Sequence, residues 1–287
     1  MLVACVREPM RIDAHQHFWR YTDEEFGWIT DAMAVIRRDF LPRDLLPLLD
    51  EADVDATIAV HARQSLDETN WLLDLSEEHA WIAGVVGWVP LADSSVEATL
   101  ERLVTNARFK GVRHVLQGEP DSYFRRADFN AGVMLLRKYS LTYDLLVLER
   151  QLPVAIEFVD RHPEQPIVLD HGAKPLIAAQ EFEPWRSRIQ ELAKRPHVSC
   201  KLSGFVAEAD FDNWTVEHLR PYAETVLESF GPKRVLFGSD WPVCTVGTSY
   251  SRWASVVQEF VSHLSTEEQD AILGSNAARF YGISQVQ

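Results

Sequence analysis

Cysteine is scarce in this chain. Cys5, Cys200 and Cys244 cannot build a disulfide framework, and no two form a Cys-x-x-Cys pair. A reducing, cytoplasmic setting is the expectation. Positive charge is also short: 28 Lys and Arg stand against 43 Asp and Glu, a formal net charge of −15. Displacing counterions from nucleic acid needs a cationic surface, so nucleic acid is excluded as a partner. An anionic membrane is excluded on the same ground. The longest uncharged apolar run, residues 80–92, is about 13 residues and contains Pro90, against the ~20 of a membrane helix. The opening MLVACVREPM has neither a basic n-region nor an apolar h-region, so it is not read as a signal peptide. Residues 1–9 are read as an N-terminal extension, either disordered or upstream of a true start at Met10. Glycine (13) and proline (14) are few and dispersed, which excludes collagen-like and low-complexity classes.

What remains is ordinary for a soluble globular protein: 46% hydrophobic and 25% charged residues. Eight apolar, β-rich runs punctuate the chain, at 10–17, 56–63, 83–91, 110–117, 141–148, 166–172, 197–204 and 234–241. Strands apolar on both faces suit a parallel sheet covered by helices. Amphipathic runs lie between them, such as NWLLDLSEEH, VEATLERLV, WRSRIQELAKR and WASVVQEFVSHL. Ser65 with Glu68, Ser94 with Glu97 and Ser265 with Glu268 read as capping boxes. Eight β-then-α units without a linker predict a single-domain α/β fold, a (β/α)8 barrel over residues 10–287. A doubly wound open sheet would want a glycine-rich loop after its first strand, and there is none.

A barrel carries its chemistry at the carboxyl ends of its strands. Of ten histidines, His15, His17, His61, His114 and His171 fall within or at the ends of predicted strands. His15 and His17 stand two apart, so both project to one face. Aimed into the mouth, they are placed to share a cation, and neutral imidazole is a good zinc ligand. Aimed elsewhere, they are polar strand-end residues bonding backbone groups. His171, in DHGAKP, is either a further ligand or a core histidine with its own partner. Asp240, in LFGSDWPV, is either a functional carboxylate or a cap or Asx-turn residue. Strands 1 and 8 are neighbours in a closed barrel, which sets Asp240 beside His15 and His17. There it can ligate a metal or take a proton from an attacking water. His171 reaches the same mouth from strand 6.

Other strand-end residues read as substrate contacts: Gln64, Trp88, Arg113, His114, Gln117, Asp144, Lys174, Lys201, Ser203 and Trp241. Arg113 and His114 are adjacent and cannot both face the interior of an ideal strand. Asp144 is a buried acid suited to polar recognition or to pairing with Lys174 or Lys201. Lys201 is alternatively a strand-end charge reaching solvent. Trp19, Trp28, Trp88 and Trp241 either stack on a ring or pack a core or lid. Cys200 and Cys244 carry no activating signature and are read as structural.

RIDAHQHFW, GVRHVLQ, DHGAKP, CKLSG and LFGSDWPV, in that order and spacing, resemble the amidohydrolase superfamily. More closely they resemble its sugar-lactone hydrolases, the L-fuconolactonase and L-rhamnonolactonase type, and LGSNAARFYGI resembles the final helix of that branch. The likeness runs from Met10 over nearly the whole chain. It implies a distorted TIM barrel. It implies a divalent metal, zinc first, on His15 and His17, with His171 and Asp240 completing or flanking the site and Asp240 as acid and base. Binuclear relatives hold a carboxylated lysine or glutamate at the end of strand 4 and a histidine at the end of strand 5. GVRHVLQ and TYDLLV offer neither, so the resemblance implies one ion, or metal-independent catalysis, rather than two.

The implied reaction is hydrolytic ring opening of a sugar (aldono) lactone, a small neutral molecule, by water primed at Asp240 and His171. No Gly-x-Ser-x-Gly elbow offers the serine-esterase route. A hydroxyl-rich lactone suits a pocket mixing polar groups with an aromatic wall, as Gln64, Trp88, Asp144 and Trp241 provide. The same barrel also admits a pyrone-dicarboxylate lactonase, a carboxy-lyase, or a non-catalytic sugar-acid binder. A polycarboxylate would want several arginines, and strand ends supply only Arg63 and Arg113.

Overall fold

The computed structural model describes residues 9–284, so the extension read at 1–9 lies, except for Pro9, outside the described residues. All eight expected strands form: β1 (Ile12–Gln16), β2 (Ala56–Val60), β3 (Ile82–Gly87), β4 (Phe109–His114), β5 (Thr142–Leu145), β6 (Ile167–Leu169), β7 (Val198–Leu202) and β8 (Val235–Phe237). They are parallel and lie in chain order, β1 through β8, in one sheet. Eight helices follow them: α1 (Pro42–Glu51), α2 (Leu66–Glu78), α3 (Val96–Leu103), α4 (Ala127–Lys138), α5 (Leu152–Arg161), α6 (Trp185–Leu192), α7 (Val216–Phe230) and α8 (Tyr250–Val261). This is the expected (β/α)8 barrel in a single domain. No helix among the described residues is long and apolar enough to cross a membrane.

The helix starts were partly legible. Ser265 and Glu268 form a reciprocal box. Ser65 caps α2 with its hydroxyl, but the Glu68 carboxylate turns instead to the amides of Ala62 and Arg63 and to the Arg63 guanidinium. A charged donor outcompetes a lone backbone N–H for a carboxylate. At α3 the flanking residue is Ser95, without a side-chain cap bond, and Glu97 pairs with Lys138.

The distortion lies in how the barrel shuts. β8 is three residues long and has no ladder with β1. Closure comes from the segment just after it. The Asp240 amide donates to the His15 carbonyl at 2.8 Å, and the His17 amide donates to the Trp241 carbonyl at 2.7 Å. Asp13 clamps this seam: its carboxylate accepts from the amides of Ser239 (2.8 Å) and His15 (3.0 Å) and from the Tyr250 hydroxyl (3.1 Å). Gly238 is required there, since a Cβ would lie 2.9 Å from the Cβ of His15. The register of β1 slips between Asp13 and Gln16, an irregularity of the kind that re-aims side chains. Below the slip, Ile12 and Ala14 pack in the barrel interior with Ala56, Ile58 and Val60.

The chain end seals the opposite face. A short helix α9 (Thr266–Asp270) runs through a π-turn (Ala271–Ser275) into α10 (Asn276–Phe280). Asn276 donates to the carbonyls of Pro232 and Val235, both at 2.7 Å. Tyr281 then enters the interior, where it is 3% exposed.

Burial raises the Asp13 pKa from 3.8 to about 6, against the hydrogen bonds that lower it. Asp13→Ala strands two buried N–H groups and a hydroxyl, at about 1–3 kcal/mol each; we expect chemical denaturation to show a loss of at least about 2 kcal/mol. Between about pH 6 and pH 4 the folded protein keeps the Asp13 proton that the unfolded chain releases. This group's contribution to stability therefore rises as pH falls through that window, and Asp13→Asn flattens that slope.

Candidate active site

The seam that closes the barrel also assembles a polar cluster. His15 and His17 come from the end of β1, His171 from the turn after β6, and Asp240 from the turn after β8. His171 and Asp240 both adopt left-handed backbone, with φ of 52° and 56°, a conformation costly for residues with a Cβ and frequent at functional sites. Ala173 and Lys174 continue the left-handed turn at 62° and 50°. The Trp185 indole holds it by donating to the Gly172 carbonyl at 2.7 Å. Gly204 lets His171 in, since a Cβ there would meet the His171 Nδ1 at 2.5 Å.

Three imidazole Nε2 atoms converge on one carboxylate oxygen. Asp240 Oδ1 lies 3.4 Å from His17, 3.8 Å from His171 and 3.9 Å from His15. The His15 and His17 Nε2 atoms are 3.2 Å apart. His15, His171 and Asp240 each offer a ligand atom, all within 4.8 Å of one another, a grouping that could hold a metal ion. The far nitrogens are anchored: His17 Nδ1 donates to the Val60 carbonyl at 2.7 Å, and His171 Nδ1 meets Ser203 Oγ at 2.9 Å. Such partners fix ring orientation and leave Nε2 facing the site.

Electrostatics suit the same use. Burial drives the pKa of His171 down to about 4 and that of His15 well below its usual range, with Lys201 adding to the latter. Both rings are neutral at pH 7, as metal ligands or proton acceptors must be. Burial raises the Asp240 pKa, but His171, the His17 hydrogen bond and Lys174 outweigh it, leaving a carboxylate below its usual range.

A second charged layer lies beneath. Lys201 Nζ touches Asp144 Oδ2 (2.5 Å), Asp170 Oδ1 (3.0 Å) and His15 Nδ1 (3.0 Å), with no exposed surface. Arg113 Nη1 bonds Asp170 Oδ2 at 3.2 Å and faces His15 Nε2 at 3.3 Å. Its other arm donates to the His61 carbonyl, and the His61 ring returns a bond to the Arg113 carbonyl at 2.9 Å. Asp144 also accepts from the Tyr281 hydroxyl at 2.8 Å.

The other nominated residues separate by position. Trp88 and Lys174 are half-buried, and Lys174 pairs with Glu208 at 3.2 Å. Gln64 is exposed and accepts from the Val115 amide at 2.9 Å. His114, on the opposite face of β4 from Arg113, stacks on Tyr123, faces Glu119 at 3.1 Å and meets the Trp88 indole at 3.4 Å. Trp241 packs edge-on against Phe18 and Phe40. Asp144 and Lys201 lie below the rim and are bonded to each other. Sequence reading singled out neither Asp170 nor Tyr281. Asp170 stood beside a nominated histidine without a pattern of its own, and Tyr281 had no signal, since its partner Asp144 is 137 positions away.

Comparison with known proteins agrees with this architecture. The amidohydrolase family pattern matches residues 12–283. The L-fucono-1,5-lactonase of Burkholderia multivorans is 43% identical, over 96% of this chain and 97% of that one. The L-fucono-1,5-lactonase of Burkholderia ambifaria is 34% identical, with 96% of each chain covered. The crystal structure of an amidohydrolase from Burkholderia multivorans with bound zinc superposes with a TM-score of 0.91 at 43% identity, covering 96% of this chain and 100% of that one. A barrel shut beside a buried histidine and aspartate cluster and a family match over nearly the whole length make this chain a member of the amidohydrolase family.

Proposed function

We propose that the protein opens the ring of a sugar lactone by hydrolysis, with L-fucono-1,5-lactone, named in its two relatives, as the first substrate to test. The observation that carries this reading is the convergence of His15, His17 and His171 on Asp240 in a chain 43% identical to a lactonase.

Ring opening needs a nucleophilic water, a proton acceptor beside it, and a stabiliser for the tetrahedral oxyanion. Asp240 is the acceptor. It takes the proton as the new C–O bond forms and returns it to the ring oxygen as the endocyclic bond breaks, so the product is a hydroxy acid. Without a bound ion, His171, neutral and anchored by Ser203, orients the water against Asp240. One divalent ion, zinc by the nitrogen-rich donor set, would be held by His15, His17, His171 and Asp240 and would supply Lewis acidity toward the carbonyl and the water.

Gln64, Trp88 and Lys174 are the proposed substrate contacts. Arg113, His114, Asp144, Lys201 and Trp241, bonded or packed within the protein, support the site from below and behind. A neutral substrate is favoured over a polycarboxylate by a specific observation. Arg63 is paired with Glu25 and Glu68, and Arg113 with Asp170, so both strand-end arginines are already spent.

Acid release from a panel of aldono-lactones, corrected with enzyme-free blanks, tests the reading; turnover confined to pyrone dicarboxylates, or to none of the panel, would overturn it. Asp240→Asn keeps the shape and removes the base, so kcat is expected to fall about 10²–10⁴-fold with the melting temperature retained. Ser203→Ala frees the His171 ring and should lower metal affinity or kcat by about 10–100-fold, measured by metal titration and steady-state kinetics.

A further inference from the structure

Glu208 ends the short turn Phe205–Glu208, which starts directly after Gly204, the residue that lets His171 into the rim. This turn and the one that carries His171 are packed as a single piece. A Cβ on Gly172 would lie 3.1 Å from the Phe205 ring, and the Glu208 carbonyl accepts the Ala178 amide at 2.9 Å. Lys174 stands on the facing loop, three residues after His171, and its amide donates to the His171 carbonyl at 2.9 Å. The two side chains meet between the loops: Lys174 Nζ is 3.2 Å from Glu208 Oε1, with the side chains 24% and 22% exposed.

Position sets this pair apart from the ion pairs below it. Lys201 with Asp144 and Asp170, and Arg113 with Asp170, are buried beneath the rim. Lys174 and Glu208 keep part of their surface in solvent, and the Lys174 charge is felt at both Asp240 and His171. An unpaired ammonium here would draw in a carboxylate-bearing substrate. Glu208 cancels that charge and leaves a donor beside an acceptor. A hydroxyl, which both gives and takes a hydrogen bond, matches that arrangement. We propose that Glu208 is a specificity-determining residue: it neutralises Lys174, so that the site takes neutral, hydroxyl-bearing lactones and turns away those carrying a carboxylate. This rests on the lactonase reading above and extends it to the choice of substrate.

The test compares kcat/KM for the best aldono-lactone of the panel and for its aldaro-lactone counterpart, which carries a carboxylate at the terminal carbon. The wild type is expected to favour the neutral one. Glu208→Gln keeps the shape of the side chain and removes its charge. The anionic-to-neutral ratio is expected to rise about tenfold at low salt, and the gain to shrink as added salt screens it. Lys174→Met leaves Glu208 uncompensated and should move the ratio the other way, about tenfold down. A ratio unchanged by Glu208→Gln in folded protein, or a gain that salt does not touch, would overturn the role of Glu208 and leave the lactonase reading in place. So would a wild type that prefers the aldaro-lactone. Should Glu208→Gln not fold, Lys174→Met decides, and an unchanged ratio there sinks the proposal. A wild type that opens no lactone of the panel would overturn both readings together.

Discussion

Two backbone hydrogen bonds hold this molecule's geometry together: the Asp240 N–H to the His15 carbonyl and the His17 N–H to the Trp241 carbonyl. With β8 only three residues long, the barrel is not closed by a continuous ladder. It is closed by the segment that carries the proposed site residues. Shutting the sheet and bringing Asp240 to the histidines are therefore one event. The clamp on Asp13 and the absent side chain of Gly238 serve both.

The second constraint is charge in a dry interior. Asp144 on β5 and Asp170 just after β6 are fully buried, balanced by Lys201 and Arg113. Buried ions persist only with close, well-placed partners. Here the charges are paired, though Asp144 Oδ1, Asp170 Oδ1 and Arg113 Nε carry no hydrogen bond. The rim above stays sparsely bonded: His17, His171 and Asp240 each keep an oxygen or nitrogen toward a shared point. The lower layer sets ring positions, and the upper one is left free to react. Tyr281 ties the two to the chain end, through Asp144.

The strands and most helices were legible because their signals are local: apolar runs of strand length, and amphipathic runs with caps. The capping box at Ser65 was half right, since Glu68 found stronger partners in Arg63 and nearby amides. The rim was legible for a different reason. HQH, DHG and GSDWP each fall at a strand end, and a closed barrel brings strand ends together. That logic identifies residues but not depth. It could not tell that Lys201 and Asp144 sit beneath the rim, or that Arg113 faces inward while His114 packs outward on Tyr123. The β1 slip between Asp13 and Gln16 breaks the simple alternation on which such assignments rest.

By itself, the order of residues determined eight β-then-α units, the barrel they make, and the histidine and aspartate set at its mouth. These follow from periodicity and from the rule that parallel strands present their carboxyl ends together. Only the tertiary structure decided which charges pair below the mouth, that Asp170 and Tyr281 belong to the network, and that the seam lies at the site. Those facts depend on distances between residues far apart in the chain, and burial decides them: inside a barrel, every charge must find its partner in three dimensions.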